Sequence, residues 1–415
     1  MKIAVLTIGN ELMSGRTADA NSSFLARETS LQGWSVEVMM SVEDNFAAIS
    51  HRINFLLTLA DVIICTGGLG PTADDITTEA IARALGLPLY QDEASLNHIK
   101  NIFMKRNLTW IENNTKQAMF PQGAEVIANP VGTAPGFALK TSGKWIFVIP
   151  GIPREAQSMF STGVLPILQR EFPQKEQYMV RQTIKTFGLT ESAIDKTLAD
   201  IDFAILGVSI GFYPVFPENH IVLVSRQMTD NAAREKLKLA QDEVYARLNK
   251  YIFTCGEETL EEIVANLLKE KKMTIAVAES CTGGLITNRL TDVPGSSEYM
   301  ECAVVSYSNA AKITMLGVPA EVIEKNGAVS EETACLMAEG ARKLAGTDLG
   351  LASTGIAGPS GGSENKPVGT VYLALSAADK TICRHHVYRW DRKRNKLIFS
   401  EAALHLLKNF LQGKG

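Results

Sequence analysis

The chain has 415 residues, 46% of them hydrophobic and 21% charged, and a formal net charge of −4. That length exceeds one compact core, so two or three domains are expected. The acidic balance argues against a general nucleic-acid-binding surface, and no uninterrupted apolar run is long enough to cross a bilayer.

The opening "MKIAVLTIGNELMSG" turns polar without a small-residue cleavage site, so it reads as a first strand and the default location is the cytoplasm. "KIAVLTIG" and "SVEVMMSV" read as strands. Between them "NSSFLARETSLQGW" reads as a helix capped by Asn21 or Ser22 and stopped at Gly33. "NFAAISHRINFLLTLA" is helical by period, "DVIICTGG" a buried strand, "DDITTEAIARALG" a helix ended by Gly86, and "KWIFVIPG" a strand. This alternation implies a parallel sheet with helices on both faces.

From about 175 to 250 the pattern changes. "YMVRQTIKTFG" reads as a strand, "TESAIDKTLADI" as a helix, "VSIGFYP" and "HIVLVSRQM" as strands, and "NAAREKLKLAQDEVYARLNKYI" as a long helix. This small α+β module has no Gly-rich loop between basic residues, which favours a connector or assembly role over nucleic-acid binding. Boundaries are expected near 172–174 and at "CGEE".

The last segment is a second α/β unit. It carries strands at "MTIAVAES", "CAVVSYS", "DLGLASTG", "GTVYLALSA" and "TICRHHVYRW". Helices are expected at "TLEEIVANLLKEKK", "GGLITNRLTDV", "NAAKITMLG" and "SEETACLMAEGARKLAG". In a final helix Phe399, Ala403, Leu406 and Phe410 form a core stripe. The six cysteines, at 65, 255, 281, 302, 335 and 383, have no close pairing and read as reduced, mostly buried thiols. Histidines are dispersed too, so any metal is expected on carboxylates, which points to magnesium or a similar hard cation.

Two places carry chemistry. The first is "TGGLGPTADD" (66–75), between a strand and a helix. Gly67, Gly68 and Gly70 let backbone approach a phosphate. Asp74 and Asp75 would repel a bare phosphate but bind one through a divalent cation. The same stretch also reads as a tight turn with capping acids. Further polar clusters at 9–11, 43–44, 113–118, 129–136 and 150–155 would line the same sheet edge as a nucleotide-sized cleft.

The second is "AVAESCTGG" (276–284). Ser280 ends a strand and serves equally well as a helix cap or as a nucleophile. Cys281 has no histidine nearby to activate it and reads as a buried thiol. "SYSNAAK" (306–312) places Tyr307 at an adjacent strand end and Lys312 in the next helix. A desolvated, neutral Lys312 can act as base toward Ser280, with Tyr307 relaying a proton or holding the lysine. The Gly-rich loop "STGIAGPSGGSENKPVGT" (353–370) offers Thr354 and the amides around Gly355 and Gly358 as an anion nest. Arg392 of "RWDRKR" either grips a phosphate or belongs to a solvated basic run.

The stretches "GNELMSGRTADANSSFLA", "TGGLGPTADDITTEAIARALG", "ENNTKQAMFPQGAEVIANPVGTAPGFA" and "PGIPREAQSMF" resemble the N-terminal domain of the CinA family. "AESCTGG", "GAVSEET", "GIAGPSGGSENKPVGTV" and the Y-S-N-x-A-K pattern resemble its C-terminal, PncC-like nicotinamide-nucleotide amidase domain. The resemblance implies a molybdopterin-binding-like α/β sandwich (1–172), a small α+β, KH-like connector (173–255) and a C-terminal α/β amidase domain (256–415). It implies hydrolysis of nicotinamide mononucleotide to nicotinate mononucleotide and ammonia at the C-terminal end. Ser280 would be nucleophile, Lys312 and Tyr307 its acid–base partners, and Thr282, Gly283, Thr354, Gly355, Gly358 and Arg392 substrate contacts, with no cofactor. At the N-terminal end it implies metal-dependent cleavage of ADP-ribose to AMP and ribose 5-phosphate. Asp44, Asp74 and Asp75 would hold the metal; Gly67, Gly68, Glu11, Asn114 and Lys116 would contact substrate. It further implies a homodimer, without direct nucleic-acid or membrane binding. The alternative is a competence or DNA-damage scaffold for a recombination protein, its N-terminal domain a non-hydrolytic molybdopterin-like binding module.

Overall fold

A computed structural model of the chain describes residues 1–173 and 178–414. Gln174, in the boundary expected near 172–174, lies outside the described residues. The chain forms two compact units, one of Met1–Met179 with Arg226–Ala233, the other of Val180–Ser225 and everything from Arg234 onward. The connector and the last segment therefore share one unit.

The first unit is built on a six-stranded sheet. Its order is Ser35–Val42, Lys2–Ile8, Val62–Thr66, Lys144–Ile149, Gly136–Thr141, Glu125–Ile127. The first four strands are parallel, as their apolar runs suggest. The last two run antiparallel, which corrects the all-parallel expectation. The cause is local: Ser142 and Gly143 both have positive φ, 48° and 78°, and join the paired residues Thr141 and Lys144 as a two-residue hairpin. Phe46–Leu59 and Thr77–Ala84 pack on one face through Ile49, Ile53, Leu56, Ala80 and Ile81. Ala20–Leu31 and the helical run 153–171 pack on the other through Leu25, Met159, Phe160 and Leu168.

Two helix starts differ from expectation. Asp19, not Asn21 or Ser22, caps Ala20–Leu31, its carboxylate accepting from Ser22 N at 2.9 Å. Asn21 Nδ2 donates instead to Gly151 O at 2.8 Å, tying the helix to the loop after Lys144–Ile149. The helix expected from Asp74 starts at Thr77, because both aspartates turn back onto Thr72.

In the second unit the connector sheet runs Val208–Val215, Glu218–Gln227, Tyr178–Thr186, Ile252–Thr254, covered by Glu191–Leu198 and Asp230–Leu248. Lys185 Nζ donates to the carbonyls of Glu257 and Glu258, both at 2.8 Å, and fixes the connector to the segment that follows. That segment has a five-stranded sheet in the order Met300–Val305, Ile275–Glu279, Leu349–Gly355, Thr370–Ser376, Thr381–Val387. The first three strands are parallel and the last two antiparallel. Leu260–Lys271, Leu285–Thr291 and Arg392–Leu411 cover one face. Asn309–Leu316, Ala320–Asn326 and Glu331–Ala345 cover the other. Phe399 and Ala403 of the expected stripe are fully buried, Leu406 is 7% exposed and Phe410 is partly buried. All six cysteines are free. Cys65 and Cys281 are buried and the other four half-buried, Cys335 and Cys383 packing against the same core cluster.

Gly67 closes Val62–Thr66 with φ at 106°, and an added Cβ would collide with the Ile8 carbonyl. Gly67→Ala is expected to destabilise the first unit by about 2 kcal/mol or more, read from urea unfolding.

Candidate functional site

Pairing of Ile275–Glu279 with Met300–Val305 sets Glu279 opposite Val305, so Ser280 and Ser306 leave the sheet side by side. The next helix, capped by Ser308 through Ala311 N at 3.1 Å, returns Lys312 over that edge. Lys312 Nζ lies 3.1 Å from Ser280 Oγ, 2.8 Å from Ser306 O and 3.4 Å from Tyr307 O. Ser280 is 8% and Lys312 1% exposed. Lys312 forms no ion pair among the described residues, and burial lowers its pKa from the ordinary lysine value.

The adjacent helix is capped by a different residue. Leu285–Thr291 has Gly284 as N-cap with no side-chain cap of its own. The buried carboxylate of Glu279 does the work: it accepts from the amides of Gly284 (2.9 Å), Ile286 (3.2 Å) and Thr287 (2.8 Å) and from Thr287 Oγ1 (2.7 Å). Ser280 Oγ is thereby left to Lys312. Among the described residues the amides of Thr282 and Gly283 meet no acceptor. Cys281 beside them is buried and its thiol is pushed up to about 12, which leaves it protonated and inert at neutral pH.

The remaining expected residues divide. Thr282 Oγ1 bonds Ser353 Oγ at 2.7 Å, and Thr354 Oγ1 donates to Ala328 O at 2.7 Å, so both hydroxyls brace the site's floor. Gly355 continues the strand, paired with Val371. Tyr307 holds the lysine through its backbone carbonyl; its hydroxyl, on a 62%-exposed side chain, accepts from Arg392 Nη2 at 3.1 Å. Arg392 Nη1 donates to Gly358 O at 2.7 Å, so one guanidinium links the Tyr307 strand end to the Gly-rich loop. One residue escaped sequence reading. Lys396, one turn beyond Arg392, brings Nζ within 3.4 Å of where a Cβ on Gly283 would sit. Its helical spacing from Arg392 was the available signal.

In the first unit a cavity of about 520 Å³ gathers Glu11, Asp44, Gly67, Gly68, Asp74 and Asp75 at the strands' carboxyl ends. Asp44 accepts from Asn10 N at 2.9 Å. Burial raises its pKa, and Glu11, Asp74 and Asp75 raise it further. Thr72 Oγ1 donates to Asp74, which with Lys116 nearby lowers the pKa of that exposed carboxyl. Lys116 Nζ donates to Thr72 O at 3.0 Å and lines an adjoining cavity of about 320 Å³ that shares Gly68, Gly70 and Asp75. Asn114 does not line either cavity: it is buried and its Nδ2 donates to Ile111 O at 2.8 Å, which makes it a brace for the Lys116 turn. Among the described residues no three acidic, thiol or imidazole groups form a ready-made cation site. The donor chemistry nonetheless fits magnesium, which takes one or two carboxylates and completes its shell with water and phosphate.

Comparison with known proteins agrees with this division. Residues 4–170 match the probable molybdopterin binding domain, 181–254 the damage-inducible protein CinA KH domain, and 257–411 the CinA C-terminal domain. A CinA-like protein of Syntrophus aciditrophicus is 54% identical, covering 99% of this chain and 98% of its own. The chain belongs to the CinA family. A putative competence-damage inducible protein of Desulforudis audaxviator is 38% identical over 99% of both chains. A solved CinA structure from Thermoplasma acidophilum is 33% identical, covering 40% of this chain and 97% of its own, with a TM-score of 0.38. The glycines of this chain's CinA KH segment, at 188, 207 and 211, do not form the G-x-x-G turn with which KH modules clamp a nucleic-acid backbone. No helix among the described residues is long and apolar enough to cross a membrane.

Removing the Glu279 carboxylate strands three amides. Glu279→Ala is expected to cost about 3 kcal/mol in urea unfolding, whereas Ser280→Ala, which removes no cap, costs less than about 1 kcal/mol.

Proposed function

We propose that the C-terminal segment hydrolyses the carboxamide of nicotinamide mononucleotide, releasing ammonia and nicotinate mononucleotide. The observation that carries this reading is the buried Lys312 Nζ 3.1 Å from Ser280 Oγ, without a carboxylate partner. Neutral Lys312 takes the Ser280 proton while Oγ attacks the carboxamide carbon. The amides of Thr282 and Gly283 steady the oxyanion. The Lys312 ammonium then returns its proton to the departing nitrogen, and ammonia leaves. Water, deprotonated by Lys312, attacks the acyl-serine ester; the proton passes back to Ser280 and the acid is released. Arg392 and Lys396 supply positive charge for the substrate's phosphate.

Ammonia release should fall to background in both Ser280→Ala and Lys312→Met, with circular dichroism unchanged. The wild-type rate should rise with pH through the lowered pKa of Lys312 and level off above it, because only the neutral amine accepts the serine proton. A folded Ser280→Ala with full activity removes the nucleophile assignment, and an inert wild type favours the scaffold reading.

For the first unit the proposal is cleavage of ADP-ribose to AMP and ribose 5-phosphate. One or two of Asp44, Asp74 and Asp75 would hold a divalent cation, water completing its shell, with Glu11 at the cavity wall and Lys116 in the adjoining cavity. When bound, the cation neutralises the diphosphate and acidifies water. Burial, with the carboxyls of Glu11, Asp74 and Asp75, raises the pKa of Asp44, and a bound cation would relieve that repulsion. Magnesium is expected to raise the wild-type melting temperature and to permit AMP release. Asp44→Asn should lose at least about tenfold in AMP release and show a smaller magnesium-induced shift.

A further inference from the structure

A second polar cavity lies inside the other unit, where the connector meets the last helix. It measures about 240 Å³ and is lined by Lys250, Arg384, Lys408, Lys414, His386 and His405, with no carboxylate from the described residues in its wall. None of the four cations makes an ion pair among the described residues. Lys408 is the telling one. It is 5% exposed, and the Phe253 ring centroid lies 5.9 Å from its ammonium, which makes no hydrogen bond among the described residues. Burial, with Lys414 adding like charge, pushes its pKa down to about 8.

The nearest acid is committed elsewhere. Glu401 is 1% exposed, pairs with Arg289 at 2.8 Å and faces His405 Nε2 at 3.4 Å. His405 is clamped between Phe187, stacked at 4.4 Å, and Phe253, edge-on at 5.2 Å. Among the described residues its Nε2 has no hydrogen-bond partner, nor has Glu401 Oε1, the oxygen that faces it. Four cations around one small cavity repel one another, and with Lys250, Arg384 and Lys414 exposed the cavity is open to an anion from solvent. The cavity is too small for a drug-sized ligand but suits a compact oxyanion.

We propose that this cavity is a binding site for a small phosphate-class polyanion, free or carried by a nucleotide. Lys408 and Arg384 grip it from the last domain and Lys250 from the connector. The bound anion would join the connector to the hydrolase segment, at a place separate from Ser280.

The test is isothermal titration of the full chain with inorganic pyrophosphate and, separately, AMP. Wild type is expected to bind at least one probe saturably; tighter pyrophosphate points to a free anion, tighter AMP to a nucleotide. Lys408→Met should lose that event, Arg384→Gln should weaken it about tenfold, and Ser280→Ala should keep it. Binding to Lys408→Met as tight as to wild type, or no binding of either probe to wild type, overturns the proposal.

Discussion

Lys312 carries a charge-bearing group into a place where nothing of opposite charge waits for it. Among the described residues its amine bonds the carbonyls of Ser306 and Tyr307 and the hydroxyl of Ser280, and no carboxylate. That placement constrains everything near it. The two parallel strands must end in register so that Ser280 and Ser306 emerge together. The Ser308 cap must start the helix early enough for Lys312 to fold back. The helix after Ser280 needs an anion at its start that is not the serine, and Glu279 is that anion.

The two cavities described for the separate units show opposite imbalances of charge. One collects five carboxyls, the other four cations and two histidines. Folding alone rewards neither arrangement, since like charges in one cavity oppose the compact state. Each is intelligible as a receptor for what it lacks: a cation with a phosphate attached in the first, an oxyanion in the second.

Much of this was readable from sequence because it depends on periodicity. The strands Lys2–Ile8, Val62–Thr66, Lys144–Ile149, Ile275–Glu279 and Leu349–Gly355 carry apolar runs that burial preserves, and the Phe399 stripe faces the core as its spacing implies. Ser280, Tyr307 and Lys312 were legible as strand-end neighbours. What they do with their hydrogen atoms was not. The capping role of Glu279 and the Tyr307 hydroxyl's turn toward Arg392 depend on three-dimensional approach between segments. The Ser142–Gly143 hairpin did have a local signal, but short strands such as Glu125–Ile127 are weak patterns beside it. The resemblance marks Asn114 as a pocket residue, yet its buried amide is spent on the Ile111 carbonyl.

The Gly-rich loop after Leu349–Gly355 leaves the sheet and re-enters it on the neighbouring antiparallel strand. Both ends are stitched at one point: Ile356 N to Thr370 O at 2.8 Å, Gly369 N to Ile356 O at 2.7 Å, and Tyr388 N to Gly369 O at 3.0 Å. The segment between is thus a closed noose with its knot in the sheet. Doubling the length of such a noose adds only about 0.6 kcal/mol of closure entropy. Evolution can therefore lengthen, shorten or re-letter the noose at small cost to folding, provided the knot is kept, and so retailor what lies beneath it while the Ser280–Lys312 pair stays in place.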